Sequence, residues 1–462
     1  MRRGAITAKT IGFFGVVLFL AVLGAWLNAK GLLLSPAEKP NLIFISLHDI
    51  RADHLGAYGY SRDTSPNIDA FSQDGILFEN AFQQGARSSM SFASLFTSQY
   101  PRANGVVFVD QVLSSSATTL TEILGEEGYE TGAFVQSSQL LAKYGITKDF
   151  GVLRQSGNNE DILRLASSWL AENNDQPKFL FLEMSVESTF QPPVAFENHY
   201  DPEYVGLLSD HTEYYLSLAV RERPNAILPA LKAINGQAVL QAEGGNIVLN
   251  ERDLEHLVAH YDDGVRYADF VFGEMVEMLK KSGVYDNSVI VLFANHGETL
   301  TDHLPRDQMR NIQLTGFAQV YDEIIHSPLI VRGLGLKPGR VSSQVQLIDI
   351  FPTVLDILRI RQGAVLSRKV QGRTLVPVME GTGKPEAYAY GQTEAVQDIM
   401  YVRSERWKLM AWPNGNFVLY DLQKDPGETT NVADQHSGIV EQLKEKLRVW
   451  QIENVQLRLE GK

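Results

Sequence analysis

The chain has 462 residues, a net charge of −14 and no cysteine. That length carries one large α/β domain and a smaller one. The charge has no block of Lys and Arg to offset it, which excludes the basic footprint a nucleic-acid partner needs. The missing cysteines exclude disulfides, thiolate metal ligands and thiol nucleophiles.

In chain order, Arg2, Arg3 and Lys9 come first, ahead of an uncharged apolar run over 11–27. A positive flank before such a run reads as an export signal whose positive end stays inside. No clean small-x-small cleavage site ends it. The expectation is a retained membrane anchor with an extracytoplasmic body, periplasmic or extracellular. Residues 30–39 read as a linker, so the segments expected are 1–39 (signal anchor and linker), 40–383 (α/β body) and 384–462 (C-terminal subdomain).

From Pro40 the apolar run over 42–47 reads as a strand buried on both faces. It releases His48 and Asp49, then Arg51, Asp53 and His54, where chemistry collects in open α/β sheets. A helix is predicted over 120–128, a strand over 131–135, a helix over 162–170 and a strand over 179–182. The stretch 194–250 has no clear period and reads as an insertion over one face. Residues 251–281 read as a long helix, with Val271, Met275, Met278 and Leu279 as core positions. A strand over 288–293 delivers Asn295 and His296, and strands over 329–331 and 345–347 follow. Beyond Lys384 come short strands over 400–402, 407–410 and 417–420, a turn at Pro413-Asn414-Gly415, and a helix over 437–450. The fold class implied is a mixed, mostly parallel sheet flanked by helices, with a small C-terminal α+β subdomain.

Five segments, in order, carry a family pattern: PNLIFISLHDIRADHLGAYGY (40–60), TSPNIDAFSQDGILFENAF (64–82), NSVIVLFANHGETLTDH (287–303), HSPLIVRGLG with SSQVQLIDIFPTVLDIL (326–358), and ERWKLMAWPNGNFVLYDLQKDPGETTNVAD (405–434). Together they resemble the sulfatase family of the alkaline-phosphatase superfamily over 40–450. The resemblance implies a divalent cation, set among carboxylates and amides from two strand ends, that polarises a sulfuryl or phosphoryl oxygen. It also implies a nucleophile at a helix N-terminus.

Ser88 falls at the nucleophile position. In the family's C/S-x-P-x-R setting this chain has Met90 and Phe92 in place of the proline and arginine. Both departures argue against a formylglycine and for an unmodified Ser88, which has a second reading as one of three helix-capping serines with Ser89 and Ser91. The metal positions fall on His48, Asp49, Asn295 and His296, where two family carboxylates have become a His and an Asn. That set is poor for Ca²⁺ and better suited to Zn²⁺. Glu187 falls near a family histidine and is the candidate general acid, which requires a raised pKa. Arg51 is a candidate substrate contact or the partner of a nearby carboxylate, and Glu298 a candidate to orient His296.

Two functions follow. The first is an exported, metal-dependent hydrolase or transferase acting on a sulfate or phosphate ester, a glycan ester among them. The second is a catalytically inactive sulfatase-like protein whose pocket binds a glycan, an anion or a protein partner.

Overall fold

The computed structural model describes residues 39–172, 176–184, 192–208, 231–234, 237–242, 245–300, 302–303, 319–361, 363, 369–384, 387–394 and 398–460. The expected anchor lies outside them. Among the described residues no helix is long and apolar enough to cross a membrane.

The strands in chain order are β1 (Asn41–Leu47), β2 (Ile76–Phe82), β3 (Glu130–Val135), β4 (Val152–Gln155), β5 (Lys178–Met184), β6 (Leu231–Ile234), β7 (Gln237–Ala242), β8 (Gly245–Leu249), β9 (Ser288–Ala294), β10 (His326–Arg332), β11 (Gly339–Gln346), β12 (Ala389–Gln392), β13 (Met400–Arg403), β14 (Trp407–Ala411) and β15 (Phe417–Asp421). Helices of seven residues or more are α1 (Pro66–Gln73), α2 (Ser88–Thr97), α3 (Leu120–Glu126), α4 (Asn159–Leu170), α5 (Glu251–Lys281), α6 (Ile350–Ile357) and α7 (Ser437–Glu460).

Eight strands form the main sheet in the order β11-β2-β10-β9-β1-β5-β3-β4. Within it β10 alone runs against its neighbours. Period-two alternation sends the side chains of each central strand to two separate cores. Leu42 and Phe44 of β1 join Val289, Val291 and Phe293 of β9 on one face, under α2, α3 and α6. Ile43, Ile45 and Leu47 join Ile290 and Leu292 on the other, under α1, α4 and α5. This two-sided cover explains why both strands read as unbroken apolar runs.

A second sheet, β12-β13-β14-β15, is antiparallel throughout. One face takes Val440, Leu443, Leu447 and Trp450 of α7. The other face presents Tyr401, Met410, Val418 and Tyr420 to Phe82 and to Tyr321, Ile324 and Ile325 of the main body.

Two expectations need correcting. The aperiodic stretch before α5 contains a third sheet, the antiparallel meander β6-β7-β8. Helix α7 also runs ten residues past Trp450. Its last turns bury Asn454 and leave Ile452, Val455 and Leu459 exposed, so no inward apolar stripe marks them.

Candidate active site

The site begins with register. β1 and β9 are parallel neighbours with Leu47 opposite Ala294, so His48-Asp49 and Asn295-His296 leave the sheet side by side at its carboxyl end. The Asn295 N–H donates to the Leu47 carbonyl at 3.2 Å. Asp49 then adopts a left-handed backbone, φ 56°, a conformation short polar residues tolerate best among non-glycines. This turns its N–H onto Asn295 Oδ1 at 3.1 Å and its carbonyl toward the Tyr261 hydroxyl, which donates at 2.7 Å. Tyr261 also accepts the Arg51 N–H at 2.9 Å, which ties α5 to the turn. Asn295 Oδ1 takes a second backbone donor, the His296 N–H, at 2.9 Å. With its oxygen so fixed, the Asn295 amide nitrogen donates to Ser88 Oγ at 2.8 Å. At Gly297 a Cβ would collide with the Glu323 carbonyl, and its N–H donates to the Ile324 carbonyl at 2.8 Å. The chain leaving His296 is thereby pinned.

Ser88 is the first residue of α2. Arg87 is the cap residue, and no side chain makes a capping bond there. The Ser89 N–H donates to Gln139 Oε1 at 3.1 Å, and the Ser91 hydroxyl donates to Gln83 Oε1 at 3.1 Å. None of the three serines caps the helix through its hydroxyl. Ser88 Oγ lies 3.3 Å from His296 Nε2. The other imidazole nitrogen, Nδ1, faces the Gly297 carbonyl at 2.9 Å and Asp49 Oδ1 at 3.0 Å. The Gly297 carbonyl, as the acceptor at Nδ1, places the proton there and leaves the Nε2 lone pair toward Ser88, with Asp49 Oδ1 beside the ring as a charge. Burial holds the His296 pKa below its ordinary value, against the opposing pull of Asp49 and the Gly297 carbonyl.

His48 points elsewhere. Its Nε2 closes on the Glu183 carboxylate at the end of β5. Glu183 Oε2 also accepts the Gln136 and Ser137 N–H groups at 2.8 and 2.9 Å. Burial alone would favour the neutral form of both groups, but each favours the charged form of the other. The His48 pKa is raised and that of Glu183 lowered. The Phe92 ring, at the family's arginine position, sits 6.4 Å from the His48 ring. Sequence reasoning missed Glu183 and named Glu187, which lies outside the described residues. The available signal was a carboxylate inside the apolar run KFLFLEM, since a charge in a doubly covered strand needs a partner.

Arg51 is buried among carboxylates. Its guanidinium meets Asp53 at 2.7 and 2.9 Å and Asp302 at 2.7 Å, so the structure brings it to carboxylates rather than to Ser88. Arg87 pairs with Glu394 at 3.0 Å. His303 pairs with Glu323 at 2.9 Å and stacks on Tyr321, and His326 contacts the Glu79 carbonyl at 2.8 Å. Glu298 Oε1 accepts the Thr299 N–H at 2.9 Å.

The divalent cation implied by the resemblance does not fit this donor set. Among the four ligand positions, Asp49 is the single carboxylate, where Ca²⁺ takes several anionic oxygens. Asn295 Oδ1 already accepts two backbone donors. His48 Nε2 is already engaged by the Glu183 carboxylate. His296 Nε2 meets Ser88. Among the described residues no three His, Asp or Glu side chains group as a metal site would. The structure brings Asp49, Asn295 and His296 together with Ser88 as a hydrogen-bonded cluster and turns His48 onto Glu183.

The sulfatase family model matches residues 40–360, and the model for the C-terminal part of N-sulphoglucosamine sulphohydrolase matches 317–453. The Delta 4,5-hexuronate-2-O-sulfatase of Bacteroides thetaiotaomicron is 25% identical, over 90% of this chain and 87% of its own length. Arylsulfatase K of Xenopus laevis is 23% identical, over 83% of this chain and 77% of its own. Among solved structures, the phosphonate monoester hydrolase of Agrobacterium radiobacter superposes with a TM-score of 0.67 at 20% identity, covering 92% of this chain and 96% of its own. A structure solved in complex with its substrate D-glucosamine-2-N,6-O-disulfate gives 0.68 at 18% identity, covering 90% and 98%. With the family model spanning most of the described body and the strand ends meeting at Ser88, this chain belongs to the sulfatase family.

Proposed function

We propose that the protein is an ester hydrolase of the sulfatase family that attacks a sulfate ester, or a related phosphorus ester, with an unmodified Ser88. The observation that carries the reading is the position of Ser88 Oγ. It lies at the N-terminus of a ten-residue helix, 2.8 Å from Asn295 Nδ2 and 3.3 Å from His296 Nε2. A hydroxyl so placed meets a base on one side and helix N–H groups that favour an anion on the other. The names of the relatives support a sulfated sugar or aryl ester as substrate. The charged flank and apolar run at the N-terminus support a membrane anchor and an extracytoplasmic body, with 40–383 as the catalytic part and 384–462 as its subdomain. The test is turnover of aryl sulfate, phosphate monoester and phosphonate monoester by the purified full-length chain. Activity lost in Ser88→Ala supports the reading; activity equal in wild type and Ser88→Ala ends it.

One observation favours a second reading, a pocket that binds without catalysis. Phe92 stands at the family's arginine position, and His48 is closed onto Glu183, so two groups that would grip an ester anion are replaced or engaged. Binding of a sulfated oligosaccharide equally by wild type and Ser88→Ala, with no turnover, would select this reading.

A further inference from the structure

We propose that Ser88 and His296 form a proton relay, with the Asp49 carboxylate beside the imidazole as its counter-charge, that activates the serine without a divalent cation. The inference rests on the hydrolase reading above and replaces the cation that the donor set does not fit.

The argument is one of hydrogen-bond direction. Asn295 Oδ1 is committed to two backbone donors, so the amide nitrogen faces Ser88 and can only donate. It occupies one lone pair of Oγ, and the serine proton turns to another acceptor. His296 Nε2 stands at 3.3 Å, a separation ordinary for a catalytic pair with no substrate bound. At the far side of the ring, Asp49 Oδ1 lies 3.0 Å from Nδ1 and the Gly297 carbonyl 2.9 Å. The Gly297 carbonyl fixes the tautomer, and the Asp49 carboxylate faces the charge that forms when the ring takes a proton. Imidazole and hydroxyl take the base and nucleophile roles seen in serine hydrolases of unrelated folds, and the carboxylate acts through its charge. Asp49 comes from the end of β1, His296 from the end of β9 and Ser88 from the start of α2, so the relay is built on rigid elements. His296 is 1% exposed and Ser88 5%, so the pair is held out of bulk solvent. Asp49 is a positioning residue here, while Ser88 and His296 meet the reacting atoms.

The step balances with no further reagent. Ser88 Oγ bonds to sulfur or phosphorus as its proton passes to Nε2. The ester bond breaks, and the leaving oxygen takes that proton from His296. A water then gives one proton to His296 and its oxygen to the transferred group. The bond to Oγ breaks, and Oγ recovers the proton.

The test is covalent labelling of the full-length chain with a fluorophosphonate probe, read by mass spectrometry. Oγ forms the P–O bond, the P–F bond breaks, and fluoride leaves as His296 takes the serine proton. The expected result is one label, on Ser88, at the same rate with and without EDTA, and none in Ser88→Ala. His296→Gln and Asp49→Asn should label slower by about 100-fold, the scale of a lost general base. If His296→Gln fails to fold, as its thermal unfolding would show, Asp49→Asn and the chelator arm still decide. Labelling abolished by EDTA and restored by Ca²⁺ or Zn²⁺ overturns the relay, as does labelling unchanged in both variants or absent from wild type. The readout is independent of substrate. Sulfate-ester turnover that survives His296→Gln would keep the hydrolase reading and sink the relay, whereas labelling without turnover would do the reverse.

Discussion

Glu183, at the end of β5, closes on His48, at the end of β1, raises its pKa, and accepts the Gln136 and Ser137 N–H groups at 2.8 and 2.9 Å. Glu183→Gln leaves a buried positive ring without its counter-charge, and breaking such a pair costs about 3–5 kcal/mol. The His48 pKa is raised above 6.5, so its contribution is full below that pH and is lost as pH rises through the raised value. The Glu183 pKa is lowered below 4.5, so its contribution is present above that pH and is lost as pH falls. The stability gap between wild type and Glu183→Gln should therefore be widest between pH 4.5 and 6.5. Urea unfolding at several pH values measures it, and a gap that does not vary with pH would refute the charged pair.

Asn295 acts as a bracket for the two strand ends. Asn295→Ala strands the Asp49 and His296 N–H groups, both directed at Oδ1, and each unsatisfied buried group costs about 1–3 kcal/mol. Asn295→Asp keeps an oxygen in the same place and should recover most of that loss. Thermal unfolding of the two variants checks the order. Equal stability would mean that the two bonds contribute little.

The main sheet was legible because its strands are covered on both faces, and that cover writes unbroken apolar runs such as Leu42 to Leu47 into the sequence. The long helix α5 was legible because Val271, Met275 and Met278 repeat at helical spacing. The meander at 231–249 was not, since three short strands set no period long enough to separate from a loop. In the site, the meeting of Asp49, Asn295 and His296 beside Ser88 followed from two strand ends and a helix start. What those residues do to one another did not follow. His48 and His296 look alike as letters, and only the neighbouring strand shows that one meets Glu183 and the other Ser88. Arg51 likewise meets Asp302, a carboxylate 251 positions away that no local pattern joins to it.

The donor set sets an expectation for added metal. A cation present at 100 times its Kd would raise stability by about 2.7 kcal/mol. Millimolar Ca²⁺ and micromolar Zn²⁺ should leave the Tm of the wild-type chain unchanged, because Asn295 and His48 are both engaged. Replacing both by Asp (His48→Asp with Asn295→Asp) supplies two further carboxylates beside Asp49. That double variant should gain a Ca²⁺-dependent rise in Tm. A comparable rise in the wild type would show that the cluster rearranges around a cation.

Lys408, on β14, has no exposed surface and meets Asp322 at 2.8 Å and Glu428 at 2.7 Å. Arg403 adds a second cation to Asp322 at 2.9 Å, and the Asp322 N–H donates to Glu428 Oε2 at 2.6 Å. Burial would raise both carboxyl pKa values, but Arg403 and Lys408 hold Asp322 well below the ordinary range. Burial, and after it the ionised Asp322, push Glu428 up to about 7 against the pull of Lys408. A carboxyl whose folded pKa is raised contributes stability at low pH that is lost as pH climbs through the folded value. Between pH 4.5 and about 7 the wild type should lose stability relative to Glu428→Gln, whose amide does not titrate. Lys408→Met should be the most damaging change in this cluster, at about 3–5 kcal/mol, because it leaves two buried carboxyls facing each other. Chemical denaturation of the three chains across that window is the measurement. If Glu428→Gln runs parallel to wild type throughout, Glu428 does not titrate there and its coupling to Asp322 is refuted.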